Sequence, residues 1–421
     1  MKDAVKIYKG NIVYSKTKDE LKEFESSYIV VKDGIVEGIF EKLPKEYENI
    51  EVTDFGDDVI IPAFSDLHVH APQYPQRGLE MDKLLSDWLN DYTFPLEDKY
   101  KDINYAKEVY DKFTSDMLKH GTMHAVIFST IHNAASEVLC KYLEDKKILS
   151  YVGKVNMDQN SPAYLQEGTE ESIKNTEEFI KKHKNNIYAK PIITPRFAPT
   201  CSFSLLEGLS KLSKEYNVGM QTHIVESLWE KEEAIKTNET CTCDTEIYEK
   251  AGLLEKHPIV LAHFIFPSED DIRILKEHDG IAVQCPDATT NIIAGIMPTG
   301  TLLDKGVDIG LGSDIAAGQY LGIYRGVSSA VRLSKIKAFY EKDERSIKFS
   351  EAFYMATKAS SKVFENVGSF EKGYYFDALV IENLSDSFNK LKPIEIVERF
   401  CYLGEVSNIK HRYLRGEETK W

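Results

Sequence analysis

"SDLHVHAPQYPQRG", Ser65–Gly78, decides how the chain is read. The apolar run "VIIPAF" precedes it, and His68 and His70 stand one residue apart at the end of that run. Residues i and i+2 of a strand point the same way, so His-x-His at a strand end offers two imidazoles to one ion. Alone, the pair reads more readily as surface or hydrogen-bonded histidines than as a ligand set. The unusual Ala71-Pro72-Gln73-Tyr74 that follows asks for a role of its own.

Outward from this stretch, the central three hundred residues alternate apolar runs with amphipathic ones. The expected strands are "IPAFSDLHVH", "TMHAVIFST", "LSYVGKVN", "IYAKPIIT", "VGMQTHIV", "PIVLAHF", "GIAVQCP" and "VDIGLGSD". Helical patterns such as "YAKEVYDKFTSDMLKHG", "EESIKNTEEFIKKHK" and "SEDDIRILKEH" lie between them. Eight strands alternating with helices predict an α/β chain folded as a parallel (β/α)8 barrel of the TIM type, here over residues 63–365. Short β-rich runs at both ends, with the hairpin signal "KDG" near the first, predict one flanking β-sandwich built from residues 1–62 and 366–421.

Chemistry in such barrels sits at the C-terminal ends of the strands. His68 and His70 end the first expected strand, Arg196 follows the fourth, His223 ends the fifth, His263 the sixth and Asp314 the eighth. Core packing does not require six polar residues on one rim. Three imidazoles (His68, His70, His223) and the Asp314 carboxylate suit Zn²⁺ or Fe²⁺, with a further position left for water.

"DLHVH", "THIVES", "LAHF" and "GSD" together resemble the sequential signature of the amidohydrolase superfamily, and the resemblance spans nearly the whole chain. It implies a barrel flanked by a β-sandwich from both termini, with His68, His70, His223 and Asp314 holding one catalytic metal. Zinc is the expected ion and iron(II) the alternative. Members with two metals bridge them by a modified lysine at the end of strand four. Lys190 lies early in its strand, which favours a structural or surface role. Glu226, three residues after His223, resembles the His-x-x-Glu of the mononuclear deaminase branch. There a metal lowers the pKa of its water, Asp314 accepts the water proton, Glu226 shuttles a proton to the ring nitrogen, and His263 orients the hydroxide.

"HAPQYPQRGLEMDKLLSDWLNDYTFPLE" and "TPRFAPTCS" are similar to segments of the guanine-deaminating branch. That similarity implies a purine-base substrate held by Gln73 and the Arg196–Phe197 pair, close to His70 and His223. Arg donors match the O6 and N7 acceptors of guanine, and a Gln amide offers both donor and acceptor. Phe197 could stack on the ring or wall it. Tyr74 is open to a pocket or a packing role. One departure stands out: "QCPDATTNIIAG" keeps Cys285-Pro286 but displaces Asn291 relative to the usual segment. Another aminopurine, a pterin, a nucleoside or a triazine is the alternative substrate. A non-catalytic scaffold of the same fold is a further alternative, opposed by the intact ligand set.

Composition narrows the rest. With 52 Lys+Arg against 68 Asp+Glu, the net charge of -16 opposes attraction to nucleic-acid phosphates or anionic membranes. The amino terminus lacks a signal-peptide core, no apolar run reaches membrane-spanning length, and six cysteines in 421 residues form no dense framework. A cytoplasmic protein is expected, and the family resemblance implies a homodimer. Cys241 and Cys243 read as free thiols, His124 and His132 as structural, and "EKDERSIK" (341–348) as a solvated linker between helices.

Overall fold

A computed structural model describes residues 5–83 and 85–419. Residues 1–4 and 420–421, the expected extremes of the terminal domain, lie outside the described residues. The terminal runs do meet, in one seven-stranded sheet of order Glu417–Glu418, Ile409–Leu414, Ala378–Ile381, Val52–Pro62, Val5–Thr17, Glu20–Lys32 and Ile35–Phe40. Val5–Thr17 pairs parallel with Val52–Pro62, and the other pairings are antiparallel. The "KDG" signal is a two-residue turn: Lys32 faces Ile35, and Asp33 and Gly34 both take positive φ, 51° and 82°. That conformation is the one Asp-Gly favours in hairpins.

One residue, Ala63, separates the terminal sheet from the strand Phe64–His70, which is buried along its whole length. The expected run "IPAFSDLHVH" is therefore two strands, divided where Ala63 N–H donates to the Asp377 carbonyl. Phe64–His70, Thr122–Phe128, Leu149–Gly153 and Ala189–Pro191 form one parallel sheet. Met220–Ile224, Ile259–His263, Ile281–Gln284 and Ile309–Leu311 form a second. Backbone bonds join the two at both margins. Gln221 N–H donates to Ile193 O at 2.9 Å on one side, and Asp314 N–H to His68 O at 2.8 Å on the other. Fully buried parallel strands need apolar side chains on both faces, which explains their near-continuous Val, Ile and Leu content.

The helices between strands cover this sheet system. Ile103–Lys119 is typical: Asp102 caps it by accepting from Asn104 N–H, and Ala106, Val109, Tyr110, Phe113 and Met117 bury one face at helical spacing. The third and fourth expected strands are broken. Leu149–Gly153 is followed by Val155–Asn156, and Ala189–Pro191 by Thr194–Pro195, the two short pieces pairing with each other. Gly153 permits this, because a Cβ there would fall 1.7 Å from Thr194 Oγ1.

His124 is structural, as expected. Its Nδ1 lies 3.0 Å from Ser65 Oγ and its Nε2 3.0 Å from Asp377 Oδ2, all buried. Asp377 also accepts from Arg415 N–H, so one carboxylate ties a central strand to the terminal sheet. Burial pushes that carboxyl up, but the His124 bond and nearby Arg415 hold it below the ordinary value. The 341–348 linker is less solvated than expected. Glu344 is buried and accepts from Thr301, and Arg345 pairs with Asp304 and Glu351. All six cysteines are free and buried. No described helix is long and apolar enough to cross a membrane.

Candidate active site

The rim predicted by the sequence exists. Its side chains leave the chain at the ends of four strands and one loop. His68 and His70 point the same way from Phe64–His70, and their rings stand 5.0 Å apart. His223 and His263 come from the neighbouring strands Met220–Ile224 and Ile259–His263, their rings stacked at 5.4 Å. Asp314 departs slightly from expectation, since it lies three residues past the end of Ile309–Leu311. It is aimed by a left-handed backbone, φ 46°; Val225, His263 and Phe264 share that region at 42°, 76° and 50°. Such conformations are costly for non-glycine residues and persist where surrounding structure imposes them.

The ligand atoms converge. His70 Nε2 and His223 Nε2 lie 2.9 Å apart, and Asp314 Oδ1 is 3.3 Å from His68 Nε2 and 3.6 Å from His70 Nε2. His68, His70 and His223 place one donor atom each within 4.8 Å of one another, and so do His68, His263 and Asp314. Among the described residues, His68 Nε2 and both ring nitrogens of His263 are buried without a hydrogen-bond partner. Buried polar atoms left unpaired are costly, and a cation among them would satisfy the arrangement. His223 Nδ1–H donates to Arg196 O at 2.6 Å, which leaves Nε2 as the lone-pair nitrogen facing the cluster. Together these features suit a divalent cation.

Burial sets the electrostatics. It pushes His68 down to about 3 and also lowers His70, His223 and His263, so the imidazoles are neutral, the form that binds metals. Burial raises Asp314, against the pull of Arg196. Glu226 is raised to about 8 by burial and then by Asp314, and its Oε1 lies 3.6 Å from His263 Nε2. Glu230, buried beside it, accepts the Glu226 backbone N–H at 2.9 Å, which fixes the chain there independently of the side chain.

Close packing protects the geometry. A Cβ on Gly312 would lie 2.8 Å from His68 Cβ and 3.0 Å from Cys285 Sγ. Gly312→Ala is expected to push His68 aside and lower turnover by about 10²-fold, as displacements near 1 Å do. Steady-state turnover measures it; full activity would show that the neighbouring strand yields instead.

His70, His223, His263 and Asp314 line a cavity of about 940 Å³, together with Gln73, Arg196, Phe197, Trp229, Ile293 and Ala317. Gln73 is buried in the turn Ala71–Gln76, where its Oε1 accepts Ala316 N–H at 3.1 Å. Arg196 lies over the Phe94 ring at 5.2 Å, and Phe197 faces Trp229 at 6.4 Å.

Other readings resolve simply. Tyr74 packs rather than lining the cavity: it bonds Asp116, lies under Arg77 and meets Phe113. Lys190 is exposed. His132 precedes the helix Asn133–Asp145 and takes no part in the cluster. Displaced Asn291 donates to Ala317 O and Gln319 Oε1, tethering the loop after Asp314. Sequence reasoning passed over Glu97, Phe94, Trp229 and Glu230. The first two were inside the quoted "YTFPLE", so the signal was present without a stated role.

The chain belongs to the amidohydrolase family, whose model matches residues 59–416. Within that class the similarity is specific. Guanine deaminase of Dictyostelium discoideum is 31% identical over 447 residues, covering 99% of this chain and 98% of that protein. Guanine deaminase of Rattus norvegicus is 33% identical, covering 90% and 87%. A crystal structure of guanine deaminase from C. acetobutylicum with bound guanine in the active site is 41% identical, with TM-score 0.95 and coverage of 99% and 100%.

Proposed function

We propose that this chain hydrolyses guanine to xanthine and ammonia. The observation that carries the reading is the His68, His70, His223 and Asp314 cluster, of which His70, His223 and Asp314 line a cavity that also presents Gln73 and Arg196. The named relatives support the same substrate. The parallel strands are read as a (β/α)8 barrel over 63–365, and residues 1–62 and 366–421 as its β-sandwich partner.

His68, His70, His223 and Asp314 would hold one divalent cation, zinc by preference for nitrogen donors and iron(II) as the alternative. When bound, such a cation lowers the pKa of a coordinated water to about 7. Asp314 takes the proton of the attacking water and passes it to the amino group, which leaves as ammonia, and His263 Nε2, between Glu226 and Asp314, orients that water. Glu226 holds a proton at neutral pH and delivers it to the ring nitrogen beside the amino-bearing carbon. Arg196 and Gln73 fix the purine edge, Phe197 walls its face, and the cavity's buried floor keeps bulk water from the reacting carbon. The net charge of -16 opposes attraction to nucleic acid. A homodimer is read from the family resemblance.

The test is ammonia release from guanine, adenine, guanosine and cytosine by metal-replete protein. Guanine alone should react. Release from adenine and none from guanine would overturn the assignment.

A further inference from the structure

Glu97 is buried on the short helix Phe94–Asp98, between the two side chains that face the purine. Its Oε2 accepts from Arg196 Nη1 at 2.7 Å, and its Oε1 from Arg196 Nη2 at 3.2 Å and from Gln73 Nε2 at 3.0 Å. A paired carboxylate only accepts, and Ala316 N–H only donates. Held between them, the Gln73 amide has one orientation: nitrogen toward Glu97, oxygen toward Ala316.

We infer that Glu97 is the positioning residue that sets the hydrogen-bond polarity of the purine wall, so that it selects 2-aminopurines with a 6-oxo, N1–H edge. The inference rests on the guanine reading. Two Arg196 nitrogens are committed to Glu97, and the guanidinium's remaining N–H groups can only donate. Beside them Gln73 keeps one N–H and one oxygen lone pair at fixed places. A wall of donors next to one acceptor matches a ring edge with an oxo acceptor next to an N–H. It mismatches the edge of 2,6-diaminopurine, which carries an amino group next to an unprotonated nitrogen, although the reacting 2-amino group is the same. A site built to pair one polarity rejects the other because buried partners are left unpaired. Glu97 touches no part of the reacting cluster, so it acts through Gln73 and Arg196.

The experiment compares kcat and KM for guanine and 2,6-diaminopurine in the wild type, Glu97→Gln, Gln73→Ala and the double variant, with melting temperature and metal content measured throughout. Glu97→Gln leaves one acceptor oxygen where the carboxylate offered two, so Gln73 Nε2 and the two Arg196 nitrogens compete for it and only Ala316 N–H still fixes the Gln73 oxygen. KM for guanine should rise more than kcat falls, and the guanine preference should drop by about tenfold or more. In the Gln73→Ala background the same change should leave the preference within about twofold, as coupled residues do. Equal losses on both substrates, or a full shift without Gln73, would overturn the role. Should Glu97→Gln fail to fold, Glu97→Asp keeps the charge and withdraws the carboxylate; an unchanged preference there would also overturn it. A wild type inactive on guanine refutes the proposed function instead, whereas an active wild type with an unaltered variant ratio refutes only Glu97.

Discussion

Glu226→Gln is expected to lose about 10²–10⁴-fold in kcat while keeping its full metal content. The amide is nearly isosteric with the acid, so cavity shape survives. What is removed is a proton that can be given away. Burial and the Asp314 charge raise the Glu226 carboxyl to about 8, so at neutral pH it is an acid in reserve rather than a carboxylate. Its backbone is held separately by Glu230, and none of the distances that define the His–Asp cluster involves it. KM for guanine should therefore change far less than kcat. Rate measurements with elemental analysis of the same sample decide the matter. A variant that loses its metal would show Glu226 to be structural, and one that retains full turnover would move the proton-transfer role elsewhere, with His263 the nearest candidate.

The reactive cluster was legible in the sequence for a geometric reason. His68 and His70 obey the period-two rule of a strand, and His223 and His263 close strands whose apolar runs are easy to bound. Asp314 joins the cluster, yet its left-handed backbone three residues beyond the strand is set by the loop it enters, which periodicity does not report. Glu97 is a different case. It is ninety-nine residues from Arg196, on a five-residue helix with no lasting pattern, and its role exists only once the cavity wall is assembled. The terminal sheet shows the same division. Its hairpin was readable from Asp33-Gly34, whereas the parallel pairing of Val5–Thr17 with Val52–Pro62 follows from how distant segments pack.

Chelation should abolish ammonia release, and restoring zinc or iron(II) should recover it. The chain itself gives the reason. Among the described residues, His68 Nε2 and both His263 nitrogens are buried without a hydrogen-bond partner, and burial holds the four imidazoles neutral. Such a floor is a poor catalyst alone, since no residue in it offers a base strong enough to ionise water at neutral pH; a cation supplies that acidity. The same logic gives stability a direction. An ion that binds the folded donors and not the unfolded chain stabilises by RT ln(1 + [L]/Kd), about 4 kcal/mol at a thousandfold excess over Kd. Chelated protein should melt several degrees lower, and His223→Ala should abolish most of that difference, because the donors it leaves cannot close around the ion. Differential scanning calorimetry with metal analysis tests both parts. Protein shown to be metal-free that still releases ammonia from guanine would remove the cation from the reaction. An unchanged melting temperature in such protein would show that the fold holds this cluster in place unaided.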